Sequence, residues 1–327
     1  MCRPKWWTVV VYENAPYVGP PRPVHRFPIP SRVLDDSRTH SSPNAASGAL
    51  ASGALASGET EIVVRPISAR IECQACVALQ YEIWGPAHGD AVPSSVLQVV
   101  ARVGGLVAGA FTTDGELLGF VFGLPALIDG TVAHWSHILG VRESARNAGV
   151  GRMLKDFQRA ELARRGIARV YWTYDPLVAK NAHLNLNLLG ARVVEHVRDM
   201  YGGSASPLHN GLATDRLVVA CDTTPVISRA SSARARRVAM SPVLTLEPRA
   251  GDVTATLDAR TPTLLLEIPV DFQEMAATAP ERAAAWHAAT RIHIERALYE
   301  GYAVTGLHRD PVTSRAFYVL ELAEPTP

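Results

Sequence analysis

Two features of this chain could do chemistry. The first is the run Arg146-Asn147-Ala148-Gly149-Val150-Gly151, which stands between an apolar stretch and a helical pattern. Glycines there let the backbone approach a ligand, and the loop delivers N–H groups to a helix start, where the dipole favours anions. Charge-assisted hydrogen bonds contribute roughly 1.5–3 kcal/mol each, so three or four would hold a diphosphate without a metal. A P-loop would continue Gly-Lys-Ser/Thr, but Arg152-Met153 follows; a dinucleotide fingerprint needs a third glycine, and position 154 is Leu. The second feature is the pair His134 and His137 in the stretch before the loop. A histidine can accept or give up a proton near neutral pH.

The elements around the loop are readable. Val132 to Val141 predicts a strand bounded by Asp129-Gly130. A helix from about Val150 to Arg165 has Val150, Met153, Leu154, Phe157 and Ala160 on one face, with Arg152, Lys155, Asp156 and Arg159 off it. Arg164-Arg165-Gly166 ends that helix, and Ala168 to Tyr174 is a second strand stopped by Asp175-Pro176. Strand, helix and strand with short connections make a right-handed parallel crossover.

The segment from His134 to Arg142, followed by Arg146-x-x-Gly149-x-Gly151-Arg152, resembles motif A of the GNAT acyl-CoA N-acyltransferases. That resemblance implies an α/β GNAT fold, a mixed central sheet with helices on both faces. It also implies acetyl-CoA or another acyl-CoA as co-substrate, held by Leu139, Val141, Arg146, Asn147, Ala148, Gly149, Val150, Gly151 and Arg152. The histidine strand is similar to that of the serotonin N-acetyltransferase branch, where two histidines relay a proton; His137 matches the second, and Trp135 stands at the first. His137 is thus the candidate base, with a core histidine as the alternative, and His134 is read as structural. Beyond Pro176, Leu177 to Leu189 predicts a helix ending at Gly190. It is similar to the family's motif B, which assigns Asn181 to the pantetheine or phosphate arm. Many relatives carry there a Tyr that protonates the leaving thiolate; that position is Leu186, and Tyr174 and Tyr201 are the substitutes weighed.

The rest of the chain frames this unit. Glu61 to Pro66 predicts a first strand, Ser68–Trp84 and Pro93–Val103 two helices, and Leu106–Thr113 with Leu117–Leu124 a hairpin through an Asp114-Gly115 type I′ turn. A second hairpin, Ala191–Tyr201 and Arg216–Cys221, spans a loop from Gly202 to Asp215, a length that is usually functional. Residues 59–225 are expected to form the acyltransferase domain that the resemblance implies. Residues 1–58, Pro-rich and then an Ala-Ser-Gly-Ala-Leu repeat, read as disordered. Residues 226–242 are a linker with arginines but no interleaved aromatics, and 243–327 is a β-α-β-β extension expected to pack on the core: a strand Thr263–Val270, a helix Pro280–Glu300, and strands Tyr302–Leu307 and Ala316–Leu322. Asp271, Glu267 and His308 lie at element ends in it.

Composition sets limits on partners. The 327 residues carry a formal net charge of +1, which gives no global pull toward nucleic acid or a membrane. No apolar run has the length of a span and no leader pattern opens the chain, so the cytoplasm is expected. Cys2, Cys73, Cys76 and Cys221 are too scattered for a disulfide framework, and a lone Cys73-x-x-Cys76 lacks the second pair a zinc site would want, so no metal is expected. A homodimer is compatible with the sequence. Three readings stay open: an N-acyltransferase acting on a small-molecule amine or amino acid, a non-catalytic acyl-CoA-binding or sensing protein, and a protein- or nucleic-acid-modifying enzyme, against which the near-neutral charge counts.

Overall fold

The computed structural model describes residues 25–29, 60–86, 89–202, 211–224, 241–249 and 261–322. Its elements run β1 (His25–Ile29), β2 (Thr60–Pro66), α1 (Arg70–Trp84), α2 (Ser94–Arg102), β3 (Leu106–Phe111), β4 (Leu117–Ile128), β5 (Thr131–Val141), α3 (Val150–Arg164), β6 (Arg169–Tyr174), α4 (Ala179–Ala182), β7 (Arg192–Val197) and β8 (Arg216–Asp222). The remainder is β9 (Val243–Leu244), β10 (Thr263–Ile268), α5 (Phe272–Thr278), α6 (Pro280–Tyr299), β11 (Tyr302–Asp310) and β12 (Arg315–Leu322). From β2 to β8 this is the mixed α/β order that the resemblance implied.

Strands β1 to β8 form one sheet in the order β1-β2-β3-β4-β5-β6-β8-β7, antiparallel except for the pair β5·β6. That pair is short. His134 faces Val170 and Trp135 faces Tyr171, and there the ladder stops. β5 stays bonded to β4 as far as Val141, and β6 stays bonded to β8 as far as Tyr174, so the sheet forks between them from Ser136 and Trp172 onward.

Helices cover both faces. Ile67, Cys73, Cys76, Leu79, Leu97, Val107, Phe120 and Phe122 make a core under α1 and α2, and burial pushes the Cys73 and Cys76 thiols up, as for inert packing residues. Leu106, Leu118, Leu154 and Phe157 pack the opposite face under α3. The extension folds as a second sheet, β11-β12-β10-β9, sharing a core with the first unit: Trp172, Tyr174 and Leu186 lie in one cluster with Trp286, Ile294 and Tyr318. Polar ties join them as well. The Asn187 side chain donates to the Leu307 carbonyl at 2.8 Å and accepts from its N–H at 2.9 Å, and Tyr318 Oη donates to the Pro176 carbonyl at 2.7 Å.

Several details differ from the sequence reading. His25–Ile29 forms an edge strand antiparallel to β2 where disorder was expected; the rest of 1–58, the linker residues 226–240 and most of the long loop lie outside the described residues. The first hairpin turn is not type I′. Only Gly115 has positive φ, at 91°, and Gly115 N–H bonds the Thr112 carbonyl, so Thr113-Asp114 make a type I turn with Gly115 left-handed after it. The predicted helix from Leu177 is a single α turn that continues as a π-helix, His183–Leu188, and α5 was not foreseen. On α3, Ala160 is exposed while Lys155, Gln158 and Glu161 are buried, which shifts the buried face from the apolar stripe read in the sequence.

Candidate functional site

The fork and the start of α3 meet. After β5 the chain makes a short 3₁₀ turn, Glu143–Ala145, and reaches Asn147 at φ 65° and Gly149 at φ 81°. Asparagine and glycine are the residues that adopt this left-handed backbone at least cost. Gly149 caps α3 without any side-chain acceptor, and the first backbone bond of the helix is Met153 N–H to the Gly149 carbonyl at 3.0 Å. The N–H groups of Val150, Gly151 and Arg152 therefore have no acceptor among the described residues, as a helix start leaves them. Leu139 and Val141, half-buried on β5, lie beneath Gly151, where an added Cβ would meet them at 3.7 and 3.9 Å.

Side chains beside the loop are loosely held. Arg146 is half-exposed, with a 3.9 Å contact to Glu143, and Arg152 pairs with Asp156 at 3.4 Å. Such exposed pairs contribute little, so both guanidiniums are available to an anion. Ala148 packs on the α3 core. Asn181 stands apart in α4, beyond β6, and its side chain hydrogen-bonds no described residue.

His137 occupies a special place on β5. The β4–β5 register jumps from Phe122↔Ile138 to Gly123↔Ser136, so His137 is the extra residue of a β-bulge, a device that re-aims a side chain at a sheet's functional end. Its exposed ring lies edge-on to Phe122, centroids 6.1 Å apart, which places it on the α1/α2 face. Desolvation against that wall draws its pKa below the ordinary value, opposed by Asp90, so the ring is neutral near pH 7 and able to accept a proton.

His134, on the opposite face, is fully buried. Gly123 makes room for it, since a Cβ there would fall 2.2 Å from His134 Nε2. Lys155 Nζ donates to Gln158 Oε1 at 3.3 Å, which turns the amide nitrogen of Gln158 toward His134 Nε2, also at 3.3 Å. His134 thereby accepts at Nε2, and burial with the Lys155 and Arg165 charges lowers its pKa to about 4. It is a packing histidine.

Both tyrosine substitutes can be placed. Tyr174 is buried in the shared core and its phenol is pushed up by burial; Leu186 is buried there too. Tyr201 is exposed, with its hydroxyl 3.1 Å from Thr173 Oγ1 and the Arg216 guanidinium 5.4 Å from its ring. The loop that carries Tyr201 is anchored at its far end by the buried Asp215, which accepts from Arg291 of α6 at 2.6 and 2.7 Å and from Asp199 N–H at 3.0 Å. The extension thus holds the base of this loop. Glu267 pairs with the buried Arg315 inside the extension's sheet and is structural. Among the described residues no cluster of side chains could hold a metal, and no helix is long and apolar enough to cross a membrane.

No protein-family model and no curated protein matches the sequence. Among solved structures, similar ones include an aminoglycoside 6'-acetyltransferase type Ii, 20% identical over 50% of this chain and 99% of its own, with a TM-score of 0.39. Another is a ribosomal-protein-alanine N-acetyltransferase from Brucella melitensis, 19% identical over 49% and 98% with a TM-score of 0.40. A third is an aminoglycoside 6'-N-acetyltransferase complexed with coenzyme A, 17% identical over 50% and 99% with a TM-score of 0.37.

Proposed function

We propose that this chain is an acyl-CoA-dependent N-acyltransferase that transfers an acyl group, acetyl in the first instance, to the amine of a small molecule or amino acid. The observation that carries the reading is the left-handed Gly149 cap with the unpartnered N–H groups of Val150, Gly151 and Arg152 at the mouth of a forked sheet. Those donors, the helix dipole and the side chains of Arg146 and Arg152 suit a diphosphate. The fork from Ser136 and Trp172 onward offers a slot for the extended arm of the co-substrate, with Leu139 and Val141 as apolar wall and Asn181 beyond β6.

His137 supplies the base. Neutral at its lowered pKa, it takes a proton from the incoming ammonium, directly or through water, so that the free amine attacks the thioester carbonyl. The bulge turns His137 to the α1/α2 face, and Tyr201 with Thr173 lies across the fork from it as lining for the acceptor. Calorimetric titration with acetyl-CoA, followed by thiol release with a panel of primary amines, tests the proposal. No binding by the intact chain would defeat it, and binding without release by any amine would favour the sensing reading.

A further inference from the structure

The buried Lys155 is the feature this mechanism leaves unused. It lies on α3 one turn beyond Gly151, and α3 runs antiparallel along β5: Gly151 faces Leu139 and Val141, Lys155 faces Ser136, and Gln158 faces His134. Lys155 therefore sits where the ladder between β5 and β6 ends. Its Nζ donates to Ser136 Oγ of β5 at 2.7 Å and lies 4.0 Å from the ring centroid of Trp172 on β6, bridging two strands that no backbone bond joins at that level. Trp172 is in turn fixed by its indole N–H to Asn185 Oδ1 at 2.9 Å.

This is a costly arrangement. Lys155 is 2% exposed, and no carboxylate pairs with it among the described residues. A buried ammonium without a counter-ion is among the least favourable groups a core can hold. The groups facing it are Ser136 and His134 from β5, Gln158 from its own helix, Trp172 from β6 and Cys221 from β8. None is an anion at neutral pH: burial holds the Cys221 thiol above its ordinary pKa and His134 is neutral. Ser136 accepts from Lys155, and its own hydroxyl hydrogen has no acceptor among the described residues.

We propose that Lys155, acting through Ser136, supplies the proton that the leaving CoA thiolate takes up. The inference rests on the acyltransferase reading. As the amine nitrogen forms its bond to the acyl carbon, the C–S bond breaks with its electron pair on sulfur. The Ser136 hydroxyl hydrogen passes to sulfur while a Lys155 ammonium hydrogen passes to Ser136 Oγ. Nitrogen gives up two protons, one taken by His137 from the ammonium before attack and one shed to solvent as the adduct collapses. Lys155, left neutral, regains one from solvent, so that a single proton is released overall once His137 discharges its own. Ser136 meets the sulfur; Lys155 is the positioning residue behind it. Burial lowers the Lys155 pKa to about 7, below the roughly 8.5 of a free thiol, so the transfer runs downhill. It also takes the place of the hydroxyl that Leu186 cannot provide.

The test uses the full chain, acetyl-CoA, and hydroxylamine as acceptor, a nucleophile that is unprotonated at neutral pH and needs no base. With the ammonium as the active form, kcat should fall as pH rises through about 7. Lys155→Met should lower kcat by roughly tenfold or more, less than the roughly 10²–10⁴-fold of a typical positioned acid because a thiolate is a good leaving group, and should flatten that limb. Ser136→Ala should lower kcat similarly, and both variants should keep acetyl-CoA affinity within about twofold by calorimetry, because neither touches the diphosphate cradle. Folded variants with unchanged kcat and an unchanged alkaline limb would overturn this inference while leaving the acyltransferase reading intact. A wild type that does not bind acetyl-CoA, or binds it and releases no thiol to hydroxylamine or to any amine of the panel, would overturn both.

Discussion

Gly149 offers the sharpest test of the cradle, because its backbone conformation and the ligand site depend on the same dihedral. At φ 81° an L side chain is strained, although a Cβ there would meet only Met153 Cε at 3.8 Å, so the obstacle is torsional and not steric crowding. Placing alanine in the left-handed region costs about 1–2 kcal/mol. Gly149→Ala should lose about that much stability, or relax by rotating φ to a negative value, which swings the peptide between residues 149 and 150 and its N–H away from the ligand. Losing one charge-assisted hydrogen bond of about 1.5–3 kcal/mol then weakens acetyl-CoA by roughly 10- to 100-fold. Gly149→Val, with a branched side chain, should do at least as much. Gly149→Asn, a residue that visits this region more readily, should retain most of both properties. Denaturant melts and calorimetric titration on the three variants separate the terms. Folded Ala and Val variants that keep both the wild-type stability and the wild-type acetyl-CoA affinity would show that the N–H groups at the helix start hold no diphosphate.

Three other outcomes follow from the geometry. His137→Gln should lower turnover with an amine acceptor by roughly 10²–10⁴-fold at nearly normal acetyl-CoA affinity; because the neutral ring is the active form and burial lowers its pKa, wild-type activity should fall as pH drops through a value below 6.5, and the variant should lose that limb. For the pair between α6 and the loop base, Arg291→Met should cost roughly 3–5 kcal/mol near pH 7, since it leaves the buried Asp215 carboxylate without its main partner. Burial alone would raise the Asp215 pKa, but Arg291 and the Asp199 N–H hold it below the ordinary range, so the stability they contribute is present above the unfolded value and lost as pH falls through the folded one. The Arg291→Met deficit should therefore shrink in acid, and Asp215→Asn added to it should recover part of the loss at pH 7. Cutting the chain after Ser228 should expose Trp172, Leu186 and their neighbours from the shared core and give an aggregating or strongly destabilised fragment; a fragment as stable as the full chain in urea would make the extension a separate domain.

The order of elements was legible wherever local rules decide. Apolar strands bounded by Asp-Gly and Asp-Pro, a helix closed by Arg-Arg-Gly, and alternation along β5 all lie within a few residues of where they were expected. What was missed depended on distant partners. His25–Ile29 is a strand only because the edge of β2 receives it, and its own sequence has little that demands one. The turn at Asp114-Gly115 was read one type off because the dipeptide signal does not say which of its residues takes positive φ; the bulge between Ala110 and Phe111 accommodates the longer loop. The π-helix from His183 cannot be read from apolar spacing, since it arises where Asn185 turns to Trp172 and Asn187 to Leu307, partners 13 and 120 residues away in the chain.

The candidate site divides along the same line. Its loop was legible because glycine and asparagine at those spacings meet a local backbone requirement, and His137 because the strand alternates; the bulge that re-aims it needs the register with β4, which no single strand contains. Lys155 was set among the solvent-facing residues of α3 because charge, taken alone, predicts exposure. The fork reverses that rule. Where β5 and β6 part, Ser136 and Trp172 present a hydroxyl and a π-face in place of ladder bonds, and an apolar residue in Lys155's position would leave the hydroxyl unmet and the gap unbridged. A helix periodicity argument counts how a residue sits on its own cylinder, whereas the burial of Lys155 is set by a break in the sheet beneath it. The residue that breaks the amphipathic pattern is thus the one on which the leaving-group chemistry is proposed to depend, at the level where the two strands part.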